Sequence, residues 1–272
     1  MSEMKDTSEK FILTSVSKIL DDAIAATNAL QEGIECYPVQ EYVLQAVFIR
    51  MTGFMEQKMK CICWELASSD YSYRYERFLR GGWDLGECSS YSDKAEVYKD
   101  LWKVTVGKME EKKRKQWISA NGNDIVRSAK SLITNALDTS DFGLGISHER
   151  KDFLFVIDGI EEKCIFAGNE PFCSCANCGD KATCKARYFL PSDCSGNNKS
   201  ALLKIYQKSF HTRNRIAHNL SSYQTNFPKM SLMANVDNVY DSYHFRYYIN
   251  LLLDNIFRAL FNCYLENRRR EE

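Results

Sequence analysis

The chain has 272 residues, of which 44% are hydrophobic and 26% are charged, with 13 glycines and 4 prolines. This composition is typical of a globular protein and excludes a disordered chain, a collagen-like fibre and a low-complexity linker. The 36 basic side chains balance the 36 acidic ones, so no global field draws the chain onto nucleic acid, and any such binding must come from a local patch.

The N-terminus carries no apolar run of the kind that a secretion signal needs. The most apolar stretch, residues 249–265, is interrupted by polar side chains that include Asp254 and Arg258. Its length and polarity are typical of a buried helix and not of a membrane span. We therefore expect a cytoplasmic protein without a membrane partner.

Apolar residues recur at three- and four-residue spacing along most of the chain, which predicts helices. The predicted helices cover residues 8–30, 38–69, 71–79, 95–115, 124–137, 201–218 and 237–267. The run 71–80, YSYRYERFLR, interleaves aromatic and basic side chains that could stack RNA bases. Its pattern favours a helix with the aromatic rings packed inward and the arginines outward.

The sequence changes character between residues 139 and 200, where runs 153–157 and 163–166 predict two short strands. We predict a mainly α fold in which residues 1–80 and 200–272 form the bundle. Residues 81–199 would form a helical extension, with a small insertion at about 150–199 that contains the strands and a cysteine cluster.

The cysteine cluster lies in a polar loop, and four of its thiols have the spacing C-x-C-x-x-C-x(5)-C. Four thiolates can close a tetrahedral zinc site, and metal binding would help a small insertion to fold. Because a second C-x-x-C pair is missing, the spacing is also compatible with free thiols or with a redox or disulfide switch. The zinc ligands would be Cys173, Cys175, Cys178 and Cys184, with Cys164 and Cys194 as alternates.

Chemically active side chains are concentrated in the segment 210–220, FHTRNRIAHNL. Residues five apart on a regular helix point about 140° away from each other. Arg213 and His218 can therefore converge only if the helix ends or distorts before His218, or if a second subunit completes the site. An imidazole can move a proton at neutral pH, a guanidinium can hold a phosphate, and an amide such as Asn214 can orient either one.

The segment Arg213-Asn214-x-x-x-His218 resembles the Arg-x(4–6)-His motif of the HEPN superfamily, in which a polar residue often follows the arginine. The helix around Phe48, Phe54 and Glu56 is similar to the long early helix of that fold, where an acidic side chain faces the motif. The resemblance implies a HEPN-like helical bundle with Glu56 as a weaker site residue.

The resemblance also implies an activity, that of a metal-independent endoribonuclease that leaves a 2′,3′-cyclic phosphate and needs no catalytic cofactor. His218 would be the general acid or base, Arg213 the phosphate clamp and Asn214 the orienting group, with His211 as a weaker candidate. Two motifs would meet across a homodimer interface, and RNA would be the substrate. Such proteins act in bacterial defence, abortive infection or toxin–antitoxin pairs, so an antitoxin or regulatory partner is expected.

Two other interpretations of the segment stay open at this point. In one, Arg213 forms an ordinary surface ion pair and His218 is a helix-end residue. In the other, a HEPN-like helical module binds a nucleotide, RNA or a partner protein without cleaving it.

Overall fold

A computed structural model describes the chain at residues 2–27, 37–81, 91–139, 154, 157–158, 209–214, 216–217 and 242–271. The main helices are α1 (Ser2–Leu13), α2 (Ser17–Thr27), α3 (Tyr37–Ser69), α4 (Tyr71–Gly81), α5 (Tyr91–Val104), α6 (Glu111–Thr139) and α7 (Tyr243–Glu271). Residues 209–214 and 216–217 are also helical. None of the residues in these ranges lies in a strand, and the prediction of a mainly α fold is confirmed.

The long helices α3 and α7 form the centre of the bundle. Helix α3 packs against α1, α2, α4, α5 and α7, and α7 also packs against α1, α5 and α6. Almost every residue of α7 between Phe245 and Leu265 is buried, as expected for a helix that is apolar on all sides. The segment 91–139 contributes α5 and α6 to this same core.

The prediction of one helix over residues 8–30 is wrong, because the structure divides this region into α1 and α2. Thr14, Ser15 and Val16 are not helical and separate the two helices. The Ser15 hydroxyl oxygen accepts the backbone N–H of Ser17 at 3.2 Å, which satisfies one of the free donors at the start of α2.

Helices α3 and α4 have the predicted positions, and Asp70 separates them. Its side chain accepts the backbone N–H of Tyr73 at 3.1 Å, which is the usual role of an aspartate at a helix N-terminus. The aspartate therefore ends one helix and begins the next in a new direction.

The predicted helix over residues 95–115 is also wrong in part, because a tight turn separates α5 from α6. A 3-10 turn spans Val106–Lys108, and the Thr105 hydroxyl donates to the carbonyl of Leu101 at 2.6 Å. A Cβ at Gly107 would lie 3.0 Å from the carbonyl oxygen of Trp102, so a larger residue would require this turn to shift by a few tenths of an ångström.

The first predicted strand, residues 153–157, is helical at the two positions that the structure describes, Leu154 and Ile157. Ile157 is buried in the core and Leu154 packs against it. A short apolar run suits a buried helical turn as well as a strand, and three-residue spacing lets both side chains contact one surface. The second predicted strand and the cysteine cluster lie outside the described residues.

Within the described ranges, no helix is long and apolar enough to cross a membrane.

Candidate functional site

The Arg213 segment is attached to the bundle after the arginine, and residues on both sides of the arginine are buried. Ser209 and Phe210 are buried before it, and Ile216 is a member of the main hydrophobic core after it. The helical backbone at 209–214 and 216–217 shows no end before residue 217 among the positions described. The arginine therefore lies on a well-anchored element.

The Arg213 guanidinium is half-buried and held by two neighbours. Its Nη1 donates to the side-chain oxygen of Asn214 at 3.0 Å, and its Cζ lies 5.7 Å from the centre of the Phe210 ring. A cation over an aromatic face gains about 0.5–1 kcal/mol or more as the site is desolvated. These two contacts favour the observed orientation of the guanidinium.

The Nε of Arg213 is buried and has no hydrogen-bond partner among the described residues. A buried donor without a partner costs about 1–3 kcal/mol, so native proteins rarely keep one without a reason. The Nε lies on the edge of the guanidinium that binds phosphate or carboxylate with two parallel hydrogen bonds. Such a donor can bind an anion, and the Nε of Arg258 on α7 likewise has no hydrogen-bond partner among the described residues.

Of the other predicted catalytic residues, the structure describes Asn214 and His211. Asn214 contacts Arg213, which leaves its amide nitrogen as a donor, and His211 is exposed on the same segment. His218 lies outside the described residues. The structure thus brings Arg213 and Asn214 together and leaves the place of the imidazole a prediction.

Glu56 lies on α3 and is half-buried. Its Oε1 is 3.6 Å from the Nζ of Lys60, one turn further along the same helix. Its role as an acidic residue facing the motif stays a prediction.

No cluster of metal-binding side chains exists within the described part of the chain. The predicted zinc ligands Cys173, Cys175, Cys178 and Cys184, and the alternates Cys164 and Cys194, lie outside it. Cys61, Cys63 and Cys263 are free thiols. Burial raises the pKa of Cys61, and burial next to Glu266 raises the pKa of Cys263 to about 11, so neither is a reactive thiolate at neutral pH.

A buried ion pair at the centre of the bundle was missed by the sequence analysis. Lys58 on α3 and Asp254 on α7 are both fully buried and form a direct hydrogen-bonded salt bridge. Lys58 also donates to the carbonyl oxygen of Thr14 at 2.7 Å, and Asp254 accepts the N–H of Val16 at 3.1 Å. The pair therefore satisfies the backbone at the break between α1 and α2.

The charges of this pair are strongly affected by their surroundings. Burial lowers the pKa of Lys58 and raises the pKa of Asp254, because a low-dielectric interior disfavours each charged form. The attraction between the two groups opposes both shifts. The sequence signal for this pair is a lysine in α3 and an aspartate in the apolar stretch of α7, but it is not specific, because α3 buries Glu65 as well.

Comparison with known proteins gives no match, whether to a protein-family model, to a curated protein or to a solved structure.

Proposed function

We propose that the protein is a metal-independent endoribonuclease of the HEPN type, acting in bacterial defence or as a toxin. The observation that carries the proposal is the half-buried Arg213 guanidinium, which contacts Asn214 and Phe210 and whose buried Nε has no hydrogen-bond partner among the described residues. A fixed guanidinium with a free donor edge is suited to a phosphate that bears growing negative charge.

In this mechanism the ribose 2′-oxygen attacks the adjacent phosphorus and the bond from phosphorus to the 5′-oxygen breaks. His218 removes the 2′-hydroxyl proton or protonates the leaving 5′-oxygen. Arg213 stabilises the charge on the phosphate oxygens. Asn214 orients Arg213 through its side-chain oxygen and can donate its amide N–H to the phosphate. The products are a 2′,3′-cyclic phosphate and a free 5′-hydroxyl, and the reaction needs no metal or cofactor.

The site is expected to be composite. Arg213 lies on helical backbone, and on a regular helix His218 would point about 140° away from it. A homodimer in which one subunit supplies Arg213 and its partner supplies the imidazole resolves this separation. An antitoxin or another regulatory protein would then keep the activity in check.

The experiment compares wild type, His218→Ala, Arg213→Ala and Arg127→Ala on end-labelled tRNA and total RNA in excess EDTA. Arg127 is an exposed arginine on α6 and serves as the matched control. We expect the His218 variant to lose about 10²–10⁴-fold and the Arg213 variant about 10²–10³-fold in cleavage rate. The Arg127 variant should cleave like wild type, and the fragments should end in cyclic phosphate.

Circular dichroism in the same EDTA buffer controls for loss of fold through a zinc at the cysteine cluster. Equal cleavage by wild type and both motif variants would contradict the assignment of the site. RNA binding without cleavage by any folded variant would instead support the non-catalytic helical module.

A further inference from the structure

A basic surface lies where the chain turns from α5 into α6. Residues 99–115 contain seven basic and three acidic side chains, which gives a net charge of +4 in a chain whose total charge is zero. One of the three acids, Asp100, is buried and pairs with Arg77 on α4, so it does not offset the charge at the surface. This corner of the bundle is therefore a local basic patch, which a chain without net charge needs to bind a polyanion.

Three lysines of the patch have no acidic partner. Lys103 lies in the last turn of α5, Lys108 in the 3-10 turn and Lys112 in the first turn of α6. All three are exposed, and no carboxylate among the described residues forms a salt bridge with them. By contrast, Lys113 lies 3.9 Å from Glu110. The three unpaired ammonium groups are available to an external anion.

The patch does not support the core of the fold. No side chain between residues 107 and 121 is buried, so this corner is open to solvent. Lys112 and Lys113 lie in the first turn of α6, where the helix dipole favours acidic side chains and disfavours cations. These lysines therefore add little to folding stability, and a bound anion would offset the repulsion between them.

The patch also lacks the apolar side chains of other kinds of interface. None of the large apolar side chains in residues 99–121, all of which the structure describes, is exposed. A contact between proteins usually has an apolar centre, and a helix that lies on a membrane needs an apolar face. A nucleic-acid backbone needs only cations that neutralise its phosphates.

The run 71–80 on α4, the other candidate surface for RNA, lacks this excess of charge. The expectation that its aromatic rings pack inward is wrong for Tyr71 and Tyr75, which are 80% and 58% exposed. The expectation that its arginines point outward is wrong for Arg77, which is 8% exposed and lies 3.8 Å from Asp100 on α5. The exposed charges that the structure describes on α4 are one arginine and one glutamate, which cancel.

We propose that Lys103, Lys108 and Lys112 bind the phosphate backbone of RNA, separately from the residues that would cleave it. Each ammonium group neutralises a phosphate and releases condensed counterions, which is the source of affinity that does not depend on sequence. The choice of RNA over DNA rests on the proposed nuclease function, whereas the charge of the surface does not. The patch would raise the affinity for RNA without taking part in the reaction.

The test measures binding to a fluorescent single strand of 2′-O-methyl RNA, about 20 nucleotides long so that it exceeds the usual length of such sites. Its 2′-oxygens carry methyl groups and cannot attack the phosphorus, so the probe stays intact whether or not the protein is a nuclease. Fluorescence anisotropy gives the binding constant at several salt concentrations.

The patch variant carries Lys103→Gln, Lys108→Gln and Lys112→Gln. We expect it to bind the probe on the order of 100-fold more weakly at about 0.1 M salt. The slope of log K against log salt concentration should become shallower by about 2, because each lost contact to a single strand removes about 0.7. Arginine at the same three positions keeps the charges and should bind like wild type.

The control variant removes the same number of charges elsewhere. It carries Lys18→Gln on α2, Arg127→Gln on α6 and Arg269→Gln on α7, all at exposed positions. We expect it to bind within about threefold of wild type, because salt screens charges that lie far from the bound strand. Circular dichroism confirms that each variant is folded.

Equal binding by the patch and control variants would overturn the proposal, as would a wild type that does not bind the probe. Weaker binding of the patch variant to vesicles rich in phosphatidylserine, with RNA binding unchanged, would assign the patch to a membrane surface instead.

Cleavage is scored separately on unmodified RNA, so the two proposals can fail independently. Weaker probe binding by the patch variant, with no cleavage by wild type, would support the binding surface and contradict the nuclease. Cleavage that requires Arg213 and His218, with equal binding by the patch and control variants, would support the nuclease and contradict the surface.

Discussion

Lys58 and Asp254 are two opposite charges in the middle of an apolar core, and the cost of removing them from water is several kcal/mol for each ion. Their mutual attraction recovers part of this cost. The pair also stabilises the fold through the backbone, because Lys58 donates to the carbonyl of Thr14 and Asp254 accepts the N–H of Val16. The ion pair is thus best understood as the partner of a helix break and not as a general source of stability.

Removing only one of the two charges should therefore lower the free energy of unfolding strongly, because the other charge is left buried without its partner. We expect Lys58→Met and Asp254→Leu each to lower the free energy of unfolding by about 3–5 kcal/mol, because each leaves the other charge buried and unpaired. The double variant should be about 2–3 kcal/mol more stable than the sum of the two changes predicts. Urea unfolding of the three variants measures this coupling, and additive effects would contradict the coupled pair.

At the scale of elements, the boundary between α1 and α2 is one that the spacing of apolar residues does not reveal. The apolar residues Ile12, Val16 and Ile19 keep helical spacing through the break, and all are buried in the core. The partners that stabilise the break come from α3 and α7, far away in the sequence. The local signal was Ser15, whose hydroxyl replaces a missing backbone partner at the start of α2.

The Ser15 cap gives a measurable contribution to this element. We expect Ser15→Ala to lower the free energy of unfolding by about 1 kcal/mol, because the N–H of Ser17 loses its acceptor. The matched control is Ser68→Ala, which removes an exposed hydroxyl that donates to a carbonyl within its own helix, and we expect less than about 0.5 kcal/mol. Equal effects in urea unfolding would show that the cap contributes nothing specific.

The existence and length of α3 and α4 could be predicted because their apolar spacing and the Asp70 cap are local properties. The direction in which α4 faces could not. Its apolar side would be buried if hydrophobicity alone decided, but the ion pair of Arg77 with Asp100 on α5 holds the other side inward. The sequence does not show which partner a buried arginine will find in space.

The candidate site was predictable where neighbours in sequence make the contacts. Arg213 contacts Phe210 and Asn214, which lie within one helical turn of it. The relation of Arg213 to Glu56 and to His218 depends on how distant segments, or a second subunit, come together. A motif defines the chemistry of such a site but not its assembly.

At the scale of the whole molecule, the buried hydroxyl of Tyr247 makes the stability of the fold decrease at alkaline pH. Burial, with a smaller effect of Tyr243, raises the pKa of Tyr247 well above its ordinary value of 10.0, and its hydroxyl donates to the carbonyl of Leu44 at 2.6 Å. Between pH 10 and the folded-state pKa, the unfolded chain releases the phenol proton and the native protein keeps it. The unfolded state then binds fewer protons, so stability falls as pH rises through this window. The lowered pKa of Lys58 acts in the opposite direction, so the contribution of Tyr247 must be isolated by substitution.

The difference between wild type and Tyr247→Phe isolates this one group. At neutral pH the variant should be about 1–2 kcal/mol less stable, because the carbonyl of Leu44 loses its donor. Below about pH 9 this difference should stay constant, since the phenol is neutral in both states. Above pH 10 wild type should lose about 1.4 kcal/mol per pH unit relative to the variant, until the phenylalanine protein becomes the more stable one. Urea unfolding at several pH values, in reducing buffer, measures both stabilities.

A difference that stays constant up to pH 11 would contradict this prediction. It would mean that the hydroxyl of Tyr247 ionises in the folded protein as readily as in the unfolded chain, and that the contact between α7 and α3 at Leu44 does not hold the proton in place.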